Sequence, residues 1–530
     1  MLPDIGRVLE AFKWLQQGYM SVKSLISTWC PPFLRPAFNS IENSPLGYRL
    51  AKGVFWSMAG SVISRGLMLC ATVLVARMLG KAVYGELGMI QSTVGMFGVF
   101  AGFGLGLTAI KHVAEFRQSD PERAGRIIGL SGLFAMGTGG LMALGLFIFA
   151  PWLAEHTINA PHLAGVLRIG ALILFVNALN GAQSGALAGF EAFKTIAHVN
   201  LFVGLISFPI LVTGAYFGGL TGAVWALAIN LCFNWLLNHL ALRKEARRYS
   251  VPFTFRNCSR ELSVLWMFSL PAALSGVLVG PVIWICNAIL VNRENGYAAL
   301  GIYSAALQIS VLIATVNNMI GQAFLPICAS TLKSINEEFE FVNIVLPWAI
   351  GMFCALPFLC VPELWAILLG NEYFNHNMLR TVVFVAISSI IVAHRQGIAR
   401  NFIARNFLWW SLLSNSFWGI SAIICVHYFC EYGGQGMAAS FAIAYSLNTI
   451  IFIPFYIHKK LCPKHILLSR YSILVWLILS FLATMGLLLQ LGIAHRCAIM
   501  LLSYCLIFFL LNKLWATAGS TSKGKVYVSE

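Results

Sequence analysis

From residue 52 onward the chain is a succession of apolar runs of about 20 residues, each long enough to cross roughly 30 Å of hydrocarbon. About fourteen are read: 53–76, 85–110, 127–150, 164–190, 196–217, 219–242, 262–291, 297–327, 341–362, 379–402, 407–429, 435–457, 471–492 and 495–512. Runs of this length satisfy their own backbone as helices, whereas a barrel would show alternating strands of roughly 10 residues. The pattern therefore predicts an all-α polytopic membrane protein. Within the eighth span, Ser304, Gln308, Thr315, Asn318 and Gln322 fall on one face of an otherwise apolar helix. A polar stripe of that length is expected to wall a wet cavity. Shorter rows occur as Asn177, Asn180 and Ser184 in the fourth span, and as Asn230, Asn234 and Asn238 in the sixth. For these two rows, hydrogen bonding between helices is the competing reading.

The chain also copies itself. Leu74-Val75-x-Arg77-x-x-Gly80-x-Ala82-x-x-Gly85 returns 216 residues later as Leu290-Val291-x-Arg293-x-x-Gly296-x-Ala298-x-x-Gly301. A second echo pairs Leu167-Arg168, Gly185 and Phe190 with Leu379-Arg380, Gly397 and Phe402 at a spacing of 212. This predicts two pseudo-symmetric six-helix lobes, 51–242 and 262–458, joined by a basic linker at 243–261 and followed by a helix pair at 459–515 and a tail at 516–530. Both lobes start from the same side, so the repeat is parallel and a central cavity is expected between the halves, the plan of a transporter.

Composition and charge sharpen this picture. With 59% hydrophobic and 10% charged residues, there is too little polar surface to cover a soluble globule. Numbering the spans alternately places 28 of the 35 Lys and Arg residues on the side of the N-terminus and six on the other, with Arg65 inside a span. Both termini are therefore expected in the cytosol, and the net charge of +16 follows from topology and anionic lipid, without nucleic acid. Residues 5–28 show the pattern of an amphipathic helix, one that would lie on the membrane surface from within an N-terminal extension, 1–50. The 13 cysteines form no CxxC pair and no cluster with histidine, and no P-loop is found, so neither metal nor cofactor is expected. The only aspartates, Asp4 and Asp120, are placed in the cytosol, and no outer loop is long enough to house a catalytic domain. An enzyme is not expected.

Arg65 is the principal candidate for cargo binding, because a mid-span Arg costs several kcal/mol unless it faces water or a counterion. Arg168 and Arg380, equivalent in the two repeats, are weaker candidates, since long side chains at helix ends snorkel to the interface. No span carries an acidic residue near its middle, which weighs against a cation-driven exporter. An anionic cargo bearing sugars fits better, with Arg matching phosphate or carboxylate and Asn and Gln matching hydroxyls.

The run Val73-Leu-Val-Ala-Arg77-Met-Leu-Gly80-Lys-Ala-Val-Tyr84-Gly85-Glu-Leu, with Gly102-Phe-Gly-Leu-Gly106 and Lys111-His-Val-Ala-Glu115, resembles the polysaccharide transporter family of Wzx-type flippases. That family sits in the superfamily that also holds multidrug exporters and lipid II flippases. The resemblance covers residues 50–515 and implies a lumen that opens alternately to either side of a bacterial inner membrane. The implied cargo is an undecaprenyl-diphosphate-linked oligosaccharide, with membrane lipids, a polysaccharide polymerase and other assembly proteins as candidate partners. Ser64-Arg65 is similar to the Ser-Arg pair in the first helix of lipid II flippases. Where those proteins carry an Arg-Asp pair two turns later, this chain has Ala71 and Thr72, a departure from lipid II recognition. Lipid II or another envelope precursor remains the alternative cargo, and a non-transporting scaffold of a glycan-assembly complex the alternative class.

Overall fold

The computed structural model describes residues 45–102, 104–252, 258–262, 276–330, 337–405, 407–488 and 491–526. The amphipathic pattern at 5–28 lies outside them. The chain divides into two compact units, 1–53 and 54–530. Of the first, only the helical stretch from Pro45 is described. The second holds the membrane helices.

Two helices are too long to cross a bilayer once. α1 (Pro45–Gly102) has 58 residues, which would run about 87 Å if straight. It breaks instead at Gly80, whose φ of 73° lies in the left-handed region that a side chain resists. α5 (Phe193–Arg248) breaks in the same way at Gly219, with φ 53°. We call the limbs α1a, α1b, α5a and α5b. Splitting these two among the 11 stretches long and apolar enough to span gives thirteen limbs among the described residues, and the shorter α6 (Val279–Val291) falls within the remaining run, 262–291, of the fourteen read from the sequence.

The remaining helices are α2 (Leu105–Phe116), α3 (Pro121–Trp152), α4 (Ala164–Gly189), α7 (Gly296–Ser330), α8 (Glu337–Cys360), α9 (Glu363–Leu369), α10 (His376–Ala404), α11 (Leu408–Phe429), α12 (Gly434–His458), α13 (Lys464–Leu468), α14 (Arg470–Leu488) and α15 (Ile493–Val526). Local chemistry starts several of them. Asp120 caps α3 by accepting from the Arg123 amide at 2.9 Å, ahead of Pro121 in the first turn. Asn375 caps α10 through the Met378 amide.

The helices pack in two groups. In the first, α3 packs on α4, and α4 on α2 and α5. In the second, α10 is central, touching α7, α8 and α12, with α11 on α12 and α6 on both α7 and α11. The pair α14 and α15 adds to the second group through α8 and α10. Its anchor is a buried ion pair, Arg496 to Glu363 at 2.6 Å, with a second bond from Arg496 to the Cys360 carbonyl.

Loops gather on two opposite faces. The break at Gly80 lies with residues 157–162, 292–296 and 367–377, as shown by Arg77 bonding the Ile367 and Leu368 carbonyls and Asn292 bonding that of Thr157. We label this the outer face, the side that the charge distribution along the chain is expected to place away from the cytosol. On the opposite face, Arg117 pairs with Glu191 at 2.7 Å, and Arg123 and Arg126 both reach Glu261 of the linker.

Candidate functional site: the closure between the lobes and the gap beneath it

The two lobes meet where the sequence repeats. Gly85 and Gly301, equivalent positions of the duplicated motif, bring α1b and α7 into backbone contact. A Cβ added to Gly85 would lie 1.8 Å from the Tyr297 carbonyl oxygen, and one added to Gly301 would lie 1.8 Å from that of Lys81. No side chain fits at either position. One turn further in, a Cβ on Gly88 would meet the Ser304 hydroxyl.

Polar contacts surround this crossing. Arg77 donates from Nε to the Leu368 carbonyl at 2.6 Å and from Nη2 to Ile367 at 2.9 Å, so a cation neutralises the carbonyl end of α9. The Tyr373 hydroxyl donates to the Ala76 carbonyl, and Tyr297 to that of Ile158. Glu372 lies against the Gly80 turn. Deeper along α1b, Asn287 donates to Ser92 at 2.8 Å and Trp284 to Thr93 at 3.0 Å, and Gly280 packs on Gly95 and Val99. The hydrogen bonds described between the lobes thus involve residues 76–93 and 157–158 on one side and 284–308 and 367–373 on the other. Most belong to the outer face, whereas the bonds at Ser92 and Thr93 lie about midway along α1b and the packing of Gly280 on Gly95 and Val99 continues toward its other end.

The predicted stripe on α7 divides at this closure. Ser304 packs on Gly88, and Gln308 is half-buried within hydrogen-bond reach of the Tyr84 hydroxyl, so its outer part touches the N-terminal lobe. Further in, Val311 is 49% exposed, Thr315 bonds only the carbonyl of its own helix, and Asn318 is exposed. One face of one helix is therefore covered at its outer end and open below. The side chain of Gln322 lies outside the described residues.

Arg65 is exposed, without a hydrogen bond or ion pair among the described residues, while Ser64 beside it packs on Gly204 of α5a. Arg65 and Ala76 are 11 residues apart and share a face of α1a to within roughly 20° at 100° per residue. At its outer end that face meets the other lobe through Ala76 and Tyr373. Asn177 is exposed on α4, as is Ser184 one helical repeat further in.

Other predicted residues go elsewhere. Arg168 lies over the ring of Phe147, 5.3 Å from its centroid, and that ring is itself 49% exposed on the flank of α3. Nine residues separate Arg168 from Asn177, which is about half a turn at 100° per residue, so the two point to opposite sides of α4. Arg380 is exposed near the outer start of α10, with no hydrogen bond or ion pair among the described residues. Asn180 is buried and spent on packing. It donates to the Leu231 carbonyl and accepts from Asn238, which also donates to Asn234, while Asn230 accepts from Ser207. In these two rows Asn180, Asn230 and Asn238 are thus engaged in hydrogen bonds within the N-terminal lobe.

Several residues at this site carry little signal in the sequence. Arg77 stands in the repeat motif, but its targets are carbonyls 290 residues away. Ser310 and Asn317 form a second polar row on α7, roughly 130° around the helix from the predicted stripe, facing the interior of the C-terminal lobe.

Known proteins share this architecture. Among solved structures, an inward-facing multidrug resistance MATE family transporter of the MOP superfamily matches 76% of this chain and 98% of its own at TM-score 0.56 and 15% identity. An outward-facing one matches 78% and 96% at 0.57 and 14% identity. At these identities the likeness establishes the fold alone. By sequence, the chain is 23% identical over 354 residues to the EPS I polysaccharide export inner membrane protein EpsE of Ralstonia nicotianae, covering 64% of this chain and 79% of that one. It is 25% identical over 265 residues to the lipid III flippase of Escherichia coli, covering 49% and 62%. The polysaccharide biosynthesis protein family model matches residues 50–332, more than half of the chain. With the duplicated motif at the lobe contact and the thirteen limbs and α6 in place, the chain belongs to the polysaccharide biosynthesis protein family, the group that contains the Wzx-type flippases.

Proposed function

We propose that this protein is an inner-membrane flippase that carries an undecaprenyl-diphosphate-linked oligosaccharide from the cytosolic to the outer leaflet by alternating access. The observation that carries this reading is the divided face of α7, covered by the other lobe at Ser304 and Gln308 and open at Val311, Thr315 and Asn318. Such a helix lines a compartment sealed outside and reachable from the cytosol, which is the state that admits cargo from the inner leaflet. The names of the curated relatives, a polysaccharide export protein and a lipid III flippase, support a lipid-linked glycan as the cargo class.

The physical problem is the head group. A diphosphate and several sugar hydroxyls cannot cross hydrocarbon unaided, because each buried polar group left unpaired costs several kcal/mol. In this account Arg65, exposed below the closure, attracts the diphosphate. Asn318, Thr315 and Asn177 offer donors and acceptors to the sugars, Gln322 and Gln308 continue the same face, and the lipid tail stays in the bilayer. Parting of the closure at Gly85 and Gly301, with inward rocking of the opposite ends, then exposes the head group outside. Arg168 and Arg380 serve at the outer interface, and the residues of the lumen hold the cargo without breaking a bond in it.

Mass spectrometry of membrane lipids from cells lacking the gene tests this function. Accumulation of one undecaprenyl-linked oligosaccharide is expected, reproduced when Arg65→Ala is supplied at normal membrane level and reversed by the unaltered protein. An unchanged lipid pool would overturn the flippase reading in favour of the scaffold.

A further inference from the structure

A cavity lies inside the C-terminal lobe between α6, α7, α10 and α12, with a volume of about 190 Å³. Asn317 points into it from α7. Its side chain is fully buried, and among the described residues neither Oδ1 nor Nδ2 has a partner. An amide left so costs roughly 1–3 kcal/mol per unpaired atom, so the site is built for something that bonds it. On the facing helix α10, Gln396 lines the same space, and Ser389 is joined to Ser310 by a hydrogen bond. The α12 side is aromatic. Phe441 stacks on Tyr303 with centroids 5.9 Å apart and an interplanar angle of 8°, and Tyr445 adjoins it. Ser310, Gln396 and Tyr445 are only half-buried, so the cavity is not sealed.

We propose that this cavity is a sugar subsite, which takes one pyranose ring of the glycan head group. The inference rests on the flippase reading and adds a second station within it. The volume equals that of about six waters at ~30 Å³ each, comparable to the bulk of a single ring. A pyranose has a face of C–H groups that packs on aromatic rings and an edge of hydroxyls that both donate and accept, as the Asn and Gln amides do. A water cluster would find partners along α7 and α10 but would leave the ring faces of the aromatic wall without an apolar neighbour. A lipid chain would leave Asn317 unpaired, and a cation would meet no carboxylate among the described lining residues. Because α7 carries this row on one side and the lumen-facing stripe on the other, it is the wall that the two compartments share.

The test uses the full-length protein in lipid nanodiscs, probed by saturation-transfer NMR with methyl glucoside, methyl galactoside and N-acetylglucosamine. Saturation is expected to pass to at least one of the three. It should fall about tenfold in Asn317→Leu, as the loss of two amide hydrogen bonds would give, and in Ala314→Phe, which fills the cavity from another position. It should persist in Asn317→Gln and in Arg65→Ala, and each variant must elute as a single species. No transfer from any of the three, or transfer unchanged in both cavity variants, overturns the subsite. The lipid pool separates the two readings: cells carrying Asn317→Leu that flip normally while Arg65→Ala cells accumulate cargo would sink the subsite and leave the flippase standing. An unchanged pool in the deletion strain would sink the flippase itself.

Discussion

Gly85 and Gly301, 216 residues apart and equivalent in the two repeats, cross so closely that a methyl group on either would overlap a carbonyl oxygen of the opposite helix. A duplicated sequence has thus placed its own copies in contact, near a pseudo-twofold axis. Gly85→Val or Gly301→Val should destabilise this closure. Overpacking of ~1–3 kcal/mol would shift the balance of outward-closed to outward-open forms by about 5–150-fold. Labelling of a single cysteine at Gln308 by a membrane-impermeant reagent from outside should rise accordingly. Unchanged labelling would show that the crossing is not the closure.

Arg77 holds the same end by two hydrogen bonds to the carbonyls of α9. Arg77→Lys keeps the charge but loses the fork, and Arg77→Ala loses both. Charged hydrogen bonds are worth ~1.5–3 kcal/mol, so Ala should open the closure more than Lys, in the same labelling experiment. Arg293, its repeat equivalent, is exposed, and Arg293→Ala should leave labelling unaltered.

Arg496 and Glu363 form a buried pair, with side chains 4% and 11% exposed, that ties α15 to the start of α9. Removing Arg496 alone strands a carboxylate. Arg496→Met should cost ~3–5 kcal/mol, and Arg496→Met with Glu363→Gln should recover most of it. Thermal unfolding followed by detergent size exclusion reads both, and equal losses in the single and double variants would deny the pair its structural role.

Asn180 and Asn177 separate packing from cargo on one helix. Asn180→Leu breaks the network to Leu231 and Asn238, and should lower stability by about 0.6 kcal/mol per bond while leaving flipping near normal. Asn177→Ala should leave stability intact and slow flipping. The reverse pattern would remove Asn177 from the lumen.

Much of the fold is legible in the sequence because each crossing writes its own length in apolar residues and each half repeats the plan. What lies between helices is less legible. Periodicity finds a polar face without saying what it faces, so Gln308 against the other lobe and the exposed Asn318 share one stripe. Asn177 and Asn180, three residues apart, take opposite fates, because 300° of rotation leaves one on an exposed face and turns the other into α5. Arg168 and Arg380 kept the symmetry of the repeat, yet symmetry alone does not reveal that Arg168 lies over the ring of Phe147. The Arg496 to Glu363 pair joins residues 133 apart, a distance over which no local pattern operates.

The central claim, that the closure at the repeat glycines must part for cargo to cross, is tested most directly by pinning it. In a background without the 13 native cysteines, Gly88→Cys and Ser304→Cys would place their Cβ atoms about 3.4 Å apart, close to the 3.5–4.5 Å that a disulfide spans. Oxidised cells should accumulate the lipid-linked oligosaccharide, and reductant should release it. Undiminished flipping by fully cross-linked protein would contradict the account.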